Sequence, residues 1–235
     1  MRKRLLSILL CLVMVTGLFP TVAGAADKTA DGPAAQVGEQ KFATLDEAIK
    51  AAEAGDTITL LRDFTEYYTP EYNLAEKTLD LNGKTYQLHH AKLFYGNNGT
   101  IKNGTINITD KDQKSLTIGG GPSADHFTVD GVTLNNGLYI DNGTDVQLKN
   151  LTVTTLGGID SAVWLNNGCS ATIEGGSYTI DGYSTSAAYN NGGVLTINGG
   201  TFSASGSNAA AVSNGARDQS ITKSSTTTIN DGIFA

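Results

Sequence analysis

A short alternation of apolar and polar residues recurs along most of the chain. Residues 171–178 (ATIEGGSY) align with residues 195–202 (LTINGGTF) at a period of 24, and the Asn-Asn-Gly turns that begin at 166 and 190 align with them. Looser copies share an apolar residue at one equivalent position, and these residues are Leu81, Ile101, Val129, Leu148, Ile173, Ile197 and Ile229. A repeat of 20 to 30 residues with variable insertions predicts a solenoid.

The content of each repeat indicates which kind of solenoid forms. Each unit is a short strand, a Gly or Asn turn, a second short strand and another Asn-Gly turn. Neither the Leu lattice of leucine-rich repeats nor the long helical stretches of helical repeats occur. Each unit is therefore expected to form one coil of a parallel β-helix, an all-β fold of about seven coils. Val146 and Leu148 are predicted to point inward and Gln147 outward, and every coil relies on its neighbours for a dry core.

One short amphipathic helix is predicted before the repeats. Thr44 is followed three residues later by Glu47, which is the capping-box pattern, and Gly55 occupies a C-cap position. The predicted helix covers residues 44–54, and an alternating strand is expected over residues 56–60. The apolar stripe of this helix is Leu45, Ala48, Ile49 and Ala52.

The first 25 residues have the pattern of a secretory signal peptide. Three basic residues precede an apolar run from Leu5 to Phe19, and Ala23-Gly24-Ala25 forms a small-residue cleavage site. We therefore expect a secreted or cell-surface protein without membrane insertion. Residues 26–40 are polar and predict a disordered lead-in, and residues 41–235 predict a single β-helix domain.

Charge and cysteine content exclude several function classes. Removal of the signal peptide takes away three of the 16 basic residues and none of the 23 acidic ones, so the net charge changes from −7 to −10. Binding to nucleic acid or to anionic lipid is therefore disfavoured. Cys169 is the one cysteine outside the signal peptide, which excludes a disulfide framework and a cysteine-rich zinc site.

The start of the mature chain resembles a known family. Residues 44–52 (TLDEAIKAA), 55–60 (GDTITL) and 79–84 (LDLNGK) are similar to the beginning of pectin-lyase-like right-handed parallel β-helix domains. The resemblance implies a right-handed β-helix whose N-terminal end is capped by the helix. The signal peptide resembles those of surface proteins from Gram-positive gut bacteria. Because this fold carries lyases, hydrolases, adhesins and passive stalks, the resemblance leaves the activity open.

The residues needed for catalysis by members of this family are largely missing. The chain has no Asp-Asp pair, no Gly-His-Gly and no Arg-Ile-Lys, and its two mature arginines lie far apart in sequence. Asp125 and His126, in a Gly-rich insertion, are the candidates for a catalytic acid and base. Asp110 and Asp112 offer two oxygen ligands where calcium normally takes six to eight. We expect no cofactor, with calcium at this pair as the alternative.

Aromatic residues are the remaining route to a function. Sugar rings pack on exposed tyrosine and tryptophan faces. Tyr67, Tyr68 and Tyr72 cluster in one loop, and Trp164 lies in a repeat, so these four are the candidate glycan contacts. The first hypothesis is a non-catalytic β-helix module for adhesion, spacing or weak glycan binding. The alternative is a polysaccharide lyase or glycoside hydrolase.

The last strand repeat, residues 226–234, is followed only by Ala235, without a closing helix or polar cap. Solenoids need covered ends, and an open strand edge invites pairing. We therefore expect either further coils beyond Ala235 or end-to-end self-association.

Overall fold

The repeats coil into a parallel β-solenoid, which confirms the all-β parallel β-helix predicted from the sequence. The protein is described here from a computed structural model. All described residues belong to one unit, Gly32–Ala235. The described ranges are 32–68, 71–90, 93–109, 115–156, 159–215 and 224–235.

In the described part of the chain, twenty-one strands form two sheets. In chain order they are β1 (Ala35–Val37), β2 (Gln40–Phe42), β3 (Thr57–Leu60), β4 (Phe64–Glu66), β5 (Glu71–Asn73), β6 (Thr78–Asp80), β7 (Thr85–Leu88), β8 (Leu93–Tyr95), β9 (Thr100–Ile108), β10 (Ser115–Ile118), β11 (Thr128–Leu134), β12 (Gly137–Ile140), β13 (Val146–Lys149), β14 (Leu151–Leu156), β15 (Ser161–Leu165), β16 (Ser170–Asp181), β17 (Ser186–Asn190), β18 (Val194–Ser205), β19 (Ala210–Asn214), β20 (Thr226–Ile229) and β21 (Ile233–Phe234). The smaller sheet contains β5, β8, β10, β12, β15, β17 and β19, and the larger sheet contains the other fourteen strands.

The one helix among the described residues, α1 (Leu45–Ala51), closes the N-terminal end of the solenoid. The predicted capping box is present, because Thr44 Oγ1 accepts from Glu47 N and Glu47 Oε2 accepts from Thr44 N, both at 3.2 Å. The helix is shorter than the predicted 44–54, because Ala52 already has an extended backbone and Gly55 lies in the following turn. No helix in the described ranges has the length and apolar character needed to cross a bilayer.

The predicted disordered lead-in is wrong for residues 35–40. Strand β1 pairs antiparallel with β3, with Ala35 opposite Leu60, and also with β2. Ala34 and Ala35 are fully buried. Burial of these alanines and the backbone bonds to β3 order a segment whose composition looked unstructured. The predicted signal peptide, residues 1–25, and the rest of the lead-in up to residue 31 lie outside the described residues.

The interior is built from apolar residues that occupy one column from coil to coil. The predicted inward residues Val146, Leu148 and Ile173 are buried, whereas Gln147 faces outward. One correction concerns the first repeat, where Leu79 rather than Leu81 pairs with Ile101. The column runs through Ile58, Leu79, Ile101, Val129, Leu148, Ile173, Ile197 and Ile229.

The last described coil is open. A second interior column stacks the rings of Tyr178 and Phe202 at 4.8 Å, and those of Phe202 and Phe234 at 5.3 Å. Phe202 is fully buried, but Phe234 is 40% exposed because no described coil packs over it. Ile229 and Ile233 of the same coil are also exposed. The C-terminal edge of the solenoid therefore presents apolar side chains and unpaired strand edges.

Candidate functional site

An exposed aromatic pair lies where the first coil meets the second. Tyr67 follows β4 and His89 follows β7, and His89 N donates to Glu66 O at 3.0 Å, which aligns the two residues. Their rings stack nearly parallel, with centroids 4.3 Å apart and planes 12° apart. Tyr67 is 50% exposed and its neighbour Tyr68 is 71% exposed. Thr109 of the next coil contacts His89 Nδ1 through its hydroxyl at 3.3 Å. We call Tyr67, Tyr68 and His89 the aromatic platform.

Tyr72, which the sequence grouped with Tyr67 and Tyr68, does not belong to this platform. It is the middle residue of β5, so its side chain points into the core and is 1% exposed. Its hydroxyl donates to Glu66 Oε1 at 2.8 Å, and the hydroxyl of Tyr86 donates to Glu66 Oε2. The sequence signal for this orientation is the alternation of polar and apolar residues in Glu71-Tyr72-Asn73.

The two tyrosines that bond to Glu66 have perturbed acidity. Burial, reinforced by the nearby Glu66 carboxylate, raises the pKa of Tyr72 above its ordinary value. Burial also raises the pKa of Tyr86, with further contributions from Tyr72 and Glu66. Both hydroxyls therefore stay protonated and remain donors. This cluster stabilises the first coils and is closed to a ligand at the surface.

Trp164 lies in a column of three aromatic residues on the outer side of the smaller sheet. Its ring centroid is 6.0 Å from that of Tyr139 and 4.6 Å from that of Tyr189. Trp164 is half-buried and Tyr189 is buried, with the Tyr189 hydroxyl donating to Gly215 O at 2.7 Å. Burial, with the nearby Asp141, raises the pKa of Tyr139 to about 12. Because Tyr189 is buried and Trp164 is half-buried, this column offers less exposed aromatic surface than the platform.

Asp125 and His126 occupy an exposed corner between two coils. His126 has a left-handed backbone, with φ of 55°, and its Nδ1 lies 2.9 Å from Asp145 Oδ2 of the next coil. Asp125 Oδ1 accepts from both the backbone nitrogen (2.9 Å) and the hydroxyl (2.7 Å) of Thr144. The hydrogen bonds from Thr144 lower the pKa of Asp125. The structure thus adds Asp145 to the acid and base expected here.

This corner has the chemistry of a turn that is fixed by hydrogen bonds. Gln147 Nε2 donates to Asp145 Oδ1 at 2.8 Å, so both carboxylate oxygens of Asp145 have partners. The side chains of His126 and Asp145 are 61% and 58% exposed, and water can reach both. Within the described ranges, no three His, Cys, Asp or Glu residues converge in a way that could hold a metal ion. Asp110 and Asp112, the predicted calcium ligands, lie outside the described residues.

The sequence did not reveal a strip of uncharged side chains on the outside of the larger sheet. Twelve outward residues in six successive coils form two adjacent columns, which we call the neutral face. By coil, the pairs are Thr85 and Gln87, Thr105 and Asn107, Thr133 and Asn135, Thr152 and Thr154, Ser177 and Thr179, and Thr201 and Ser203. Strand register aligns them despite unequal spacing in the sequence. Tyr67 and His89 stand in the next column, at the N-terminal edge of this face.

A second outer surface of the same sheet differs in charge. Acidic and basic residues alternate there from coil to coil, and Lys102 Nζ lies 3.5 Å from Asp80 Oδ2. Further along, Asn198 donates to Glu174 at 3.0 Å and accepts from Asn230 at 2.7 Å. We call this column the charged column, and its residues are Asp80, Lys102, Asp130, Lys149, Glu174, Asn198 and Asn230.

No family model, curated protein or solved structure matches this chain. The fold is therefore established by strand register, and the function has to be argued from the platform, the corner and the two outer surfaces.

Proposed function

We propose that the protein is a non-catalytic, secreted or cell-surface module that binds glycans and serves adhesion. The aromatic platform supports this proposal most directly. Tyr67 and Tyr68 are among the most exposed large aromatic side chains of the described residues, and the Tyr67 ring is held in place by the parallel ring of His89. An oriented, exposed ring offers a sugar a large apolar face at little cost in side-chain entropy.

Solvent-exposed aromatic rings on a rigid scaffold suit recognition better than chemistry. The platform carries no carboxylate of its own, and the imidazole of His89 stacks on Tyr67 with Nδ1 against the hydroxyl of Thr109. The ionisable corner at His126 belongs to later coils. Catalysis needs an acid or base within hydrogen-bond reach of the bound substrate. Binding needs only a fixed surface with complementary contacts, which the stacked coils supply.

The test compares the wild-type protein with a Tyr67→Ala, Tyr68→Ala double variant on a glycan array and in affinity gels. We expect the double variant to lose at least tenfold in affinity, about 1.4 kcal/mol. Tyr183→Ala is the matched control, because Tyr183 is 74% exposed but lies elsewhere on the solenoid. Equal binding by the double variant and the control would contradict the role of the platform.

One observation favours a second function, that of a polysaccharide lyase or glycoside hydrolase. His126 Nδ1 contacts Asp145 at 2.9 Å, an arrangement that orients an imidazole for proton transfer. The assay follows unsaturated products and new reducing ends on pectate, alginate and glycosaminoglycans. Turnover that disappears in His126→Ala but persists in the Tyr67 and Tyr68 double variant would establish the enzyme. Absence of turnover in the wild-type protein would argue against it.

A further inference from the structure

We propose that the neutral face binds an extended, uncharged polysaccharide that lies along the solenoid axis. This inference rests on the glycan-binding function proposed above and names the class of glycan. The carrying observation is that all twelve side chains of the neutral face are uncharged.

The preference of strands for threonine does not explain this face. Threonine also lines the charged surface, where Thr100 precedes Lys102 and Thr128 precedes Asp130 by two positions on the same strands. Both surfaces belong to one sheet and to the same coils, so the preference of strands for threonine acts equally on both. Charge is nevertheless present in one of the two columns of the charged surface and missing from both columns of the neutral face over its six coils, although Asp63 stands in register with Thr85 in the coil before them. This difference points to a requirement of whatever the neutral face contacts.

The geometry of the neutral face suits a long polymer. Successive coils are about 4.8 Å apart, so six coils extend over roughly 24 Å. Thr152, Thr154, Thr179 and Thr201 are exposed and therefore accessible. Hydroxyl and amide groups both donate and accept hydrogen bonds, as do the hydroxyls of a sugar. The strip can thus satisfy a polymer that presents hydroxyl groups repeatedly along its length.

The electrostatics select against acidic polymers. A uronate or sulfate laid on the neutral face would lose water and gain no Lys or Arg partner there, which costs free energy. The predicted mature chain is also strongly acidic, so it repels polyanions at longer range. The platform at the N-terminal edge of the face adds a stacking contact for one sugar ring. Together these features favour neutral over anionic polysaccharides.

The experiment is affinity electrophoresis in gels that contain xyloglucan, galactomannan, mixed-linkage glucan or polygalacturonate. We expect one or more neutral polymers to retard the wild-type protein and polygalacturonate to have no effect. A Thr154→Lys, Thr179→Lys double variant, which places charge on the neutral face, should bind at least tenfold more weakly. The matched control is Thr172→Lys, because Thr172 faces outward on the same strand as Thr179 but on the charged surface, and it should bind like the wild type.

A second variant distinguishes loss of binding from loss of folding. Thr152→Val with Thr154→Val keeps the shape of the face and removes two hydroxyls, so it should also weaken binding while melting like the wild type. If Tyr67→Ala abolishes binding but neither the two lysine substitutions nor the two valine substitutions on the neutral face change it, the neutral face is not the site. This inference then fails while the proposed function stands. Preference for polygalacturonate would overturn the inference in the same way. If no polymer binds, the proposed function fails and the inference with it.

Discussion

At the scale of single residues, the most constrained chemistry is the pair of tyrosine hydroxyls on Glu66. A carboxylate at the edge of a core is stabilised only while it has donors, and hydrogen bonds to a charged group contribute about 1.5 to 3 kcal/mol. Tyr72 and Tyr86 supply these donors from two different coils. The cluster therefore ties the first coils together.

We expect Tyr86→Phe to lower the free energy of unfolding by about 1.5 to 3 kcal/mol, because Glu66 loses one donor. Tyr178→Phe is the control, since its hydroxyl donates to the neutral carbonyl of Gly175 at 3.0 Å. That change should cost only about 0.5 to 1.5 kcal/mol. Urea denaturation of both variants measures the difference. Equal costs would show that the charge of Glu66 is unimportant.

The same tyrosines predict how stability depends on alkaline pH. Their pKa values are raised in the folded protein, so the unfolded chain ionises first as pH rises above about 10. Their contribution is fully present below pH 10 and is lost at higher pH, at up to about 1.4 kcal/mol per pH unit for each tyrosine. Tyr86→Phe should flatten this decline in a series of urea denaturation curves. An unchanged slope would contradict the shifted pKa.

At the scale of elements, close approach of neighbouring coils depends on glycine at the bend of the long strands. Gly176, within β16, has φ of 109°, and a Cβ there would lie 2.2 Å from Leu151 O of the preceding coil. Neither the backbone conformation nor the space accepts a side chain. Gly199, in β18, has no atom within 4 Å of such a Cβ.

Gly176→Ala should therefore destabilise the protein by about 2 to 5 kcal/mol, through backbone strain and overlap with Leu151. Gly199→Ala should change stability by less than about 1 kcal/mol. Thermal unfolding followed by circular dichroism compares the two variants. A similar loss of stability in both variants would mean that the coils relax around the methyl group added at Gly176.

The comparison of sequence with structure also belongs at this scale. Inward positions such as Leu148 and Ile173 were predictable because alternation and turn residues are local properties. The order of residues 35–40 was missed because it depends on pairing with β3, about 20 residues away. The neutral face was missed for a related reason. Its columns become visible only when the strands are aligned by their pairing, because the insertions between repeats differ in length.

At the scale of the whole molecule, the two ends of the described solenoid differ. The N-terminal end is covered by α1 and by the antiparallel strands β1 and β2. The last described coil leaves Ile229, Ile233 and Phe234 exposed along unpaired edges. Such an edge pairs readily with another strand.

We therefore expect the isolated 235-residue chain to associate through this coil, with two copies meeting at their open ends. An Ile233→Lys, Phe234→Lys variant should shift the population to monomer in light scattering at high concentration, because it places charge on the exposed edge. Tyr183→Lys, an exposed change far from this edge in sequence, is the control. A wild-type protein that stays monomeric would contradict the expectation.

The charged column has a consequence for how such a chain can lengthen over evolution. Its one ion pair among the described residues, Lys102 with Asp80, is weak, of the order of 1 kcal/mol or less. The signs of the column nevertheless alternate from Asp80 through Lys102 and Asp130 to Lys149. Duplication of a single repeat would set two like charges side by side, whereas duplication of two repeats would restore the alternation. Growth of this rod by even numbers of repeats is therefore the less costly genetic event.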